Sequence, residues 1–244
     1  MKTTLLVLAL LCSTLSFSQN RLAYIGLTKQ RTNIEFIYKD AVTPKCFFNE
    51  DADYDEQFAF QKIKQRTDSM LTELGFNIIP EDSVVNSDAY RAISEEVEKM
   101  YKHAENRETQ AKGYGQIHLM GLGAIQNIGN YFTIPSNPDV VANVIYSYTY
   151  KLNIINGVKT LSVECYVYLG VFTKKKKVFS ISATHRALEH ISIVRNDKSC
   201  WGFDINQNTN AVKYRALGSA LDKLKKKMDG AQKSVEKYNA KLAK

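Results

Sequence analysis

Residues 140–169 read VVANVIYSYTYKLNII, then Asn156-Gly157, then VKTLSVECYVYL. Val140, Ala142, Val144, Tyr146, Tyr148, Tyr150, Leu152 and Ile154 alternate with mainly polar neighbours, the pattern of a strand with one buried face. Asn-Gly supplies the two residues that tolerate positive φ in a two-residue type I′ turn. If Ile155 faces Val158 across that turn, Leu152 faces Leu161, Tyr150 faces Val163, Tyr148 faces Cys165, Tyr146 faces Val167 and Val144 faces Leu169. Each pair is apolar on both sides, so turn chemistry and side-chain pattern specify the same register.

The parity continues in Phe179, Ile181 and Ala183, a third strand reached through Lys174-Lys175-Lys176-Lys177. Four lysines at a hairpin tip read as a solvated turn that also discourages edge pairing. Upstream, Leu22 to Leu27 and Ile34 to Tyr38 read as short strands. Phe60, Ile63, Met70, Leu71 and Leu74 then share one helical face, with Gly75 placed as a left-handed stop before the strand Phe76 to Pro80. A second helix starts near Ser87 and carries Tyr90, Ile93, Val97 and Met100 on one side. Gln116 to Ile128 reads as a Gly-containing strand, and Gly129 to Asp139 as the loop entering the long hairpin.

Tyr214, Leu217, Leu221, Leu224, Met228, Ala231, Val235, Tyr238 and Leu242 follow a 3,4 spacing, which predicts one long amphipathic helix, bent if anywhere at Asp229-Gly230. The same segment holds the charge. Residues 19–212 carry 22 Lys plus Arg against 22 Asp plus Glu, whereas residues 213–244 carry 10 against 3. The basic balance therefore belongs to the tail, and no nucleic-acid-binding surface is expected. Lys233, Val235, Lys237, Tyr238, Lys241 and Leu242 become the candidate contact surface for an envelope protein or an anionic envelope surface.

Lys2, the apolar run Leu5 to Leu11 and the small residues Ser16 and Ser18 make a cleavable secretory signal over residues 1–18, cut between Ser18 and Gln19. Leu11 before Cys12 is too bulky for lipoprotein processing, so a periplasmic or extracellular chain without a lipid anchor is expected. Residues 19–228 form one domain on this reading and residues 229–244 a basic helical tail. Three cysteines remain after the cut: a Cys46–Cys200 disulfide with Cys165 as a buried thiol is one arrangement, and three free thiols is the other.

Candidate chemistry is sparse. His185, Glu189 and His190, with His118 as a third imidazole, are the candidate metal ligands, but their spacing at a strand end departs from helical zinc motifs. Glu50, Asp51, Asp53, Asp55 and Glu56 lack the Gly and closing Glu of a calcium loop and read as a solvated acidic loop entering a helix N-terminus. Nucleophile elbows, P-loops and dinucleotide fingerprints are absent, so no catalytic residue and no cofactor is expected. A pore-forming hairpin is disfavoured because residues 140–155 exceed the roughly 9 to 11 residues a membrane strand needs.

The order strand, helix, strand, helix, antiparallel strands and closing helix predicts an α+β fold: an antiparallel-dominated sheet with two early helices and the C-terminal helix packed on one face. Leu74 to Ile79 resembles the helix-to-strand step of a group of bacterial envelope domains, Gly115 to Gly121 is similar to their Gly-terminated strand, and Ala216 to Lys227 to their closing helix. These are the amino-terminal domain of TolB, the curli secretion channel lipoprotein and the lipoprotein activators of penicillin-binding proteins. Gln116 departs from the Asp usual in that strand. The resemblance implies a non-enzymatic binding or assembly module of the envelope, acting in secretion or in outer-membrane or cell-wall maintenance. The alternatives are a small-ligand binder using the tyrosine-rich sheet face and a metal-dependent hydrolase.

Overall fold

The Asn156-Gly157 hairpin forms in the register its sequence specifies. Asn156 and Gly157 take φ of 51° and 78°, and pairing runs without interruption from Ile155↔Val158 to Val141↔Phe172. The protein is described by a computed structural model over residues 20–30, 32–35, 54–100, 109–115, 128–196, 203–205 and 208–242. Its elements are β1 (Arg21–Lys29), β2 (Asn33–Glu35), α1 (Glu56–Glu73), β3 (Asn77–Ile78), α2 (Asp82–Val85), α3 (Asp88–Met100), β4 (Thr109–Gln110), a 3₁₀ turn (Gly129–Thr133), β5 (Val140–Ile155), β6 (Val158–Phe172), β7 (Lys177–Arg186), β8 (Ile191–Arg195), β9 (Phe203–Ile205), α4 (Asn210–Lys225) and α5 (Met228–Leu242).

Among the described residues the strands form one mixed α+β sheet with the order β3-β1-β5-β6-β8-β9. From β5 onward every pairing is antiparallel, as expected. β1, however, lies parallel to both β3 and β5, and β2 is parallel to β5. Leu22 through Lys29 are all buried, so β1 lacks the alternation of a half-exposed strand, as parallel interior strands do.

α1 begins where Asp55 Oδ1 accepts the Phe58 N–H at 2.9 Å, and Glu56 occupies the first turn, so this end of the acidic run serves as a helix cap. It ends in a Schellman arrangement: Phe76 N–H donates to Leu71 O, Gly75 N–H donates to Thr72 O, and Gly75 has φ 84°. Ser87 Oγ likewise accepts the Tyr90 N–H to start α3.

The even-numbered face of β5 and the odd-numbered face of β6 carry the core. Tyr146, Tyr148, Tyr150, Val163, Cys165 and Val167 are fully buried there, with Phe60 of α1 meeting Tyr146 edge to face at 5.4 Å. α4 packs across β6 and β7, and α5 continues along β7. The apolar face that a lipid-facing hairpin would expose is thus covered by helices.

The C-terminal seam is one, but the helix is two. Lys226 ends α4 and α5 restarts at Met228, two residues before the expected bend site Gly230. The phase survives the break because Leu224, Met228, Ala231 and Val235 all remain buried. Lys223 Nζ donates to Thr184 O and Lys227 Nζ to Ser182 O, capping carbonyls along β7.

Candidate functional site

At the end of the sheet remote from Asn156-Gly157, Thr173 shapes the lysine turn. Its N–H donates to Lys176 O at 2.7 Å and its Oγ1 accepts the Lys176 N–H at 3.1 Å. The pairing shifts by one residue after Val171, so Lys177 rather than Val178 faces Phe172. Lys174 to Lys177 consequently stand exposed on a hydrogen-bonded turn.

α5 brings the second half of the site. Its buried seam orients Lys233, Lys237 and Lys241, spaced four apart, along an exposed stripe, with Tyr238 half-buried beside them and Leu242 61% exposed. Lys176, Tyr238 and Lys241 form a shared wall between two open grooves of about 370 and 310 Å³. The first groove extends to Lys174, Phe132 and Asp139, and the second to Lys177 and Lys237. Burial raises the Tyr238 phenol above its ordinary value, and the Asp139 carboxylate adds to the shift.

The start of β1 reaches the same place. Arg21 N–H donates to Asp139 Oδ2 at 2.8 Å, Asp139 N–H returns a bond to Arg21 O at 2.9 Å, and Asn20 Nδ2 donates to Asn239 Oδ1 at 2.8 Å. The N-terminal end of the described chain, the lysine turn and the last turns of α5 therefore converge on one pole. Lysine side chains here present positive charge around an amphipathic phenol, an arrangement that can attract anions by charge but offers no fixed fork.

The candidate tail surface is corrected at one position: Val235 is only 4% exposed because it belongs to the seam against β7, so it has no face for a partner. The lysine turn is a solvated tip, as expected, and it shares a surface with the tail. That proximity has no local sequence signal.

The described metal-ligand candidates do not assemble into a three-ligand group. His185 lies on β7 opposite Cys165, Glu189 Oε1 accepts from Arg215 Nε at 2.5 Å, and His190 is exposed. Its own backbone N–H, and then the Arg215 guanidinium, hold Glu189 below the ordinary carboxylate range. No metal-binding group of three His, Cys, Asp or Glu side chains occurs among the described residues. His118, Cys46, Cys200, Ser18 and Gln19 lie outside the described residues, as do Glu50, Asp51, Asp53 and Gln116. Cys165 is a buried free thiol, its acidity suppressed by desolvation.

The tyrosine-rich sheet face proposed for a small ligand is filled by the protein itself. Tyr54 donates to Tyr148 Oη at 3.0 Å, Tyr150 Oη bonds Thr209 Oγ1 at 2.7 Å, and Lys213, wholly buried, holds its amino group 4.8 Å from the Tyr54 ring centre. Lys29 pairs with Glu56 at 2.8 Å beside the same ring. Lys213, counted with the basic tail in the sequence, is instead buried one turn before Ala216 and Leu217.

No family model matches the chain, and no curated protein matches it. Among solved structures, the lipoprotein GNA1162 of Neisseria meningitidis is similar over 83% of this chain and 97% of its own, at 13% identity and a TM-score of 0.29. The hypothetical protein CT253 of Chlamydia trachomatis is similar over 86% and 99%, at 8% identity and a TM-score of 0.31. Among the described residues, no helix is long and apolar enough to cross a membrane.

Proposed function

We propose that this protein is an exported, non-enzymatic component of the cell envelope, periplasmic or extracellular, that works as a binding and assembly module. Its working surface is the cationic pole. The observation that supports this reading is the meeting of Lys174–Lys177 with Lys237, Tyr238 and Lys241, two basic segments far apart in the chain. Like charges gathered on a structured turn and a packed helix repel one another, so their arrangement favours occupancy by an anionic partner. The fold supports the role by fixing both segments to one sheet: β6 and β7 hold the turn, and the α5 seam holds the tail.

The experiment is association of the chain with isolated envelopes of the cells that make it. The variant Lys174→Glu/Lys175→Glu/Lys237→Glu/Lys241→Glu, all exposed positions, is expected to keep the wild-type unfolding midpoint and lose salt-sensitive association by more than about tenfold. Equal association of a folded variant and the wild type would overturn the reading.

A further inference from the structure

We infer that the cationic pole docks on the headgroup surface of an anionic phospholipid bilayer. This rests on the proposed binding role and identifies what the pole binds.

The surface is predominantly cationic. Six lysines, at positions 174–177, 237 and 241, line the two grooves, and Asp139 is the one carboxylate among the described lining residues. That carboxylate accepts the Arg21 N–H and leaves the lysines in six-to-one excess. Lysine is depleted at the centre of protein interfaces, because each ammonium must be desolvated and paired there. A bilayer asks for less: its phosphates form a continuous sheet of charge, and long lysine stems can lie along an apolar surface with their heads in water.

An apolar element accompanies the charge. Leu242 is 61% exposed on the last turn of α5, directly after Lys241, and Tyr238 presents a ring with a polar tip one turn earlier. Basic residues flanking an exposed leucine and an interfacial tyrosine are the components of a surface-lying membrane contact. The grooves are open rather than enclosing, which suits a planar array of phosphates better than one small anion.

Orientation supplies the third argument. Asn20 is bonded to Asn239, so the described start of β1 lies on this same pole. The opposite pole is the Asn156-Gly157 tip, roughly 45 Å away along β5 at about 3.3 Å per residue. Ile154, Val158 and Val194 are exposed at that distant end. Docking by the lysine pole stands the sheet on the membrane and leaves the apolar tip facing away.

The test is co-sedimentation of the purified exported chain with vesicles of phosphatidylcholine alone or phosphatidylcholine containing phosphatidylglycerol. Binding is expected to favour the anionic vesicles by more than about tenfold and to weaken as salt rises. Lys174→Gln/Lys175→Gln/Lys237→Gln/Lys241→Gln should remove that preference with an unchanged unfolding midpoint, and Leu242→Ser should lower binding while preserving its salt dependence. Equal binding to both vesicles, or full anionic binding by the neutralised variant, would overturn the inference. So would displacement by inorganic phosphate at matched ionic strength, which would make the pole a site for a free anion. Lysine-dependent envelope association without vesicle binding would overturn the lipid assignment alone and leave the binding role standing.

Discussion

Tyr90 and Tyr131 lie 5.9 Å apart in the same buried patch, yet their hydroxyls are in opposite positions. Tyr90 Oη donates to Ile25 O at 2.7 Å and accepts the Gly115 N–H at 3.1 Å, whereas Tyr131 Oη has no partner among the described residues. Tyr90→Phe leaves a carbonyl and an N–H without their bond and should cost about 1 to 3 kcal/mol; Tyr131→Phe removes an unmatched hydroxyl and should leave stability within about 0.5 kcal/mol or raise it. Chemical denaturation of both variants checks this, and equal losses would contradict it. Burial also raises the Tyr90 phenol to about 12, with Tyr146 and Tyr148 pushed up for the same reason. The unfolded phenol ionises near 10, so the neutral form's contribution is complete below that pH and is lost as pH climbs through the folded value. Alkaline titration should therefore show tyrosinate absorbance rising together with loss of structure above pH 10. Smooth ionisation at the ordinary value in an intact fold would contradict the packing.

At the scale of elements, the β5–β6 hairpin is specified by two residues and a parity. Gly157→Val forces a β-branched residue to φ 78° and should cost about 1 to 3 kcal/mol in a thermal or denaturant melt; no loss would mean that the turn is not type I′. Leu224→Ala, at a fully buried position next to the α4–α5 break, should cost about 2 to 5 kcal/mol, against near-neutrality for Lys226→Ala two residues on. These elements were legible because their signals are local: Asn156-Gly157 dictates its own pairing, Gly75 its helix stop, and the 3,4 spacing its seam. The parallel ladder of β1 on β5 was not, since Arg21 and Asp139 are brought together across 118 residues and a strand buried on both faces carries no alternation. β8 and β9 carry little sequence signal for a related reason: each is short, and among the described residues β8 pairs with β6 at Thr160 and Leu161 alone. The candidate site was half legible. The tail lysines stand out in the charge count, but nothing local to Lys174–Lys177 states that the turn will sit beside them.

For the whole molecule, the sheet sets two poles about the length of β5 apart, one basic and one capped by the Asn156-Gly157 tip. The helices secure the basic pole rather than decorate it: Ala231 and Val235 of α5 are core residues, so the lysine stripe is carried on a packed helix. Deleting residues after Met228 would remove core as well as charge, and charge substitution at exposed lysines is the cleaner probe. The central claim is that two basic segments, one on the β6–β7 turn and one on α5, form a single surface. Short-arm lysine cross-linking of the intact chain, read by mass spectrometry of the digested product, measures it directly. The account predicts links from Lys176 or Lys177 to Lys237 or Lys241 that vanish in denaturant. Tail lysines that link only within α5, or to Lys159 at the opposite pole, would contradict it.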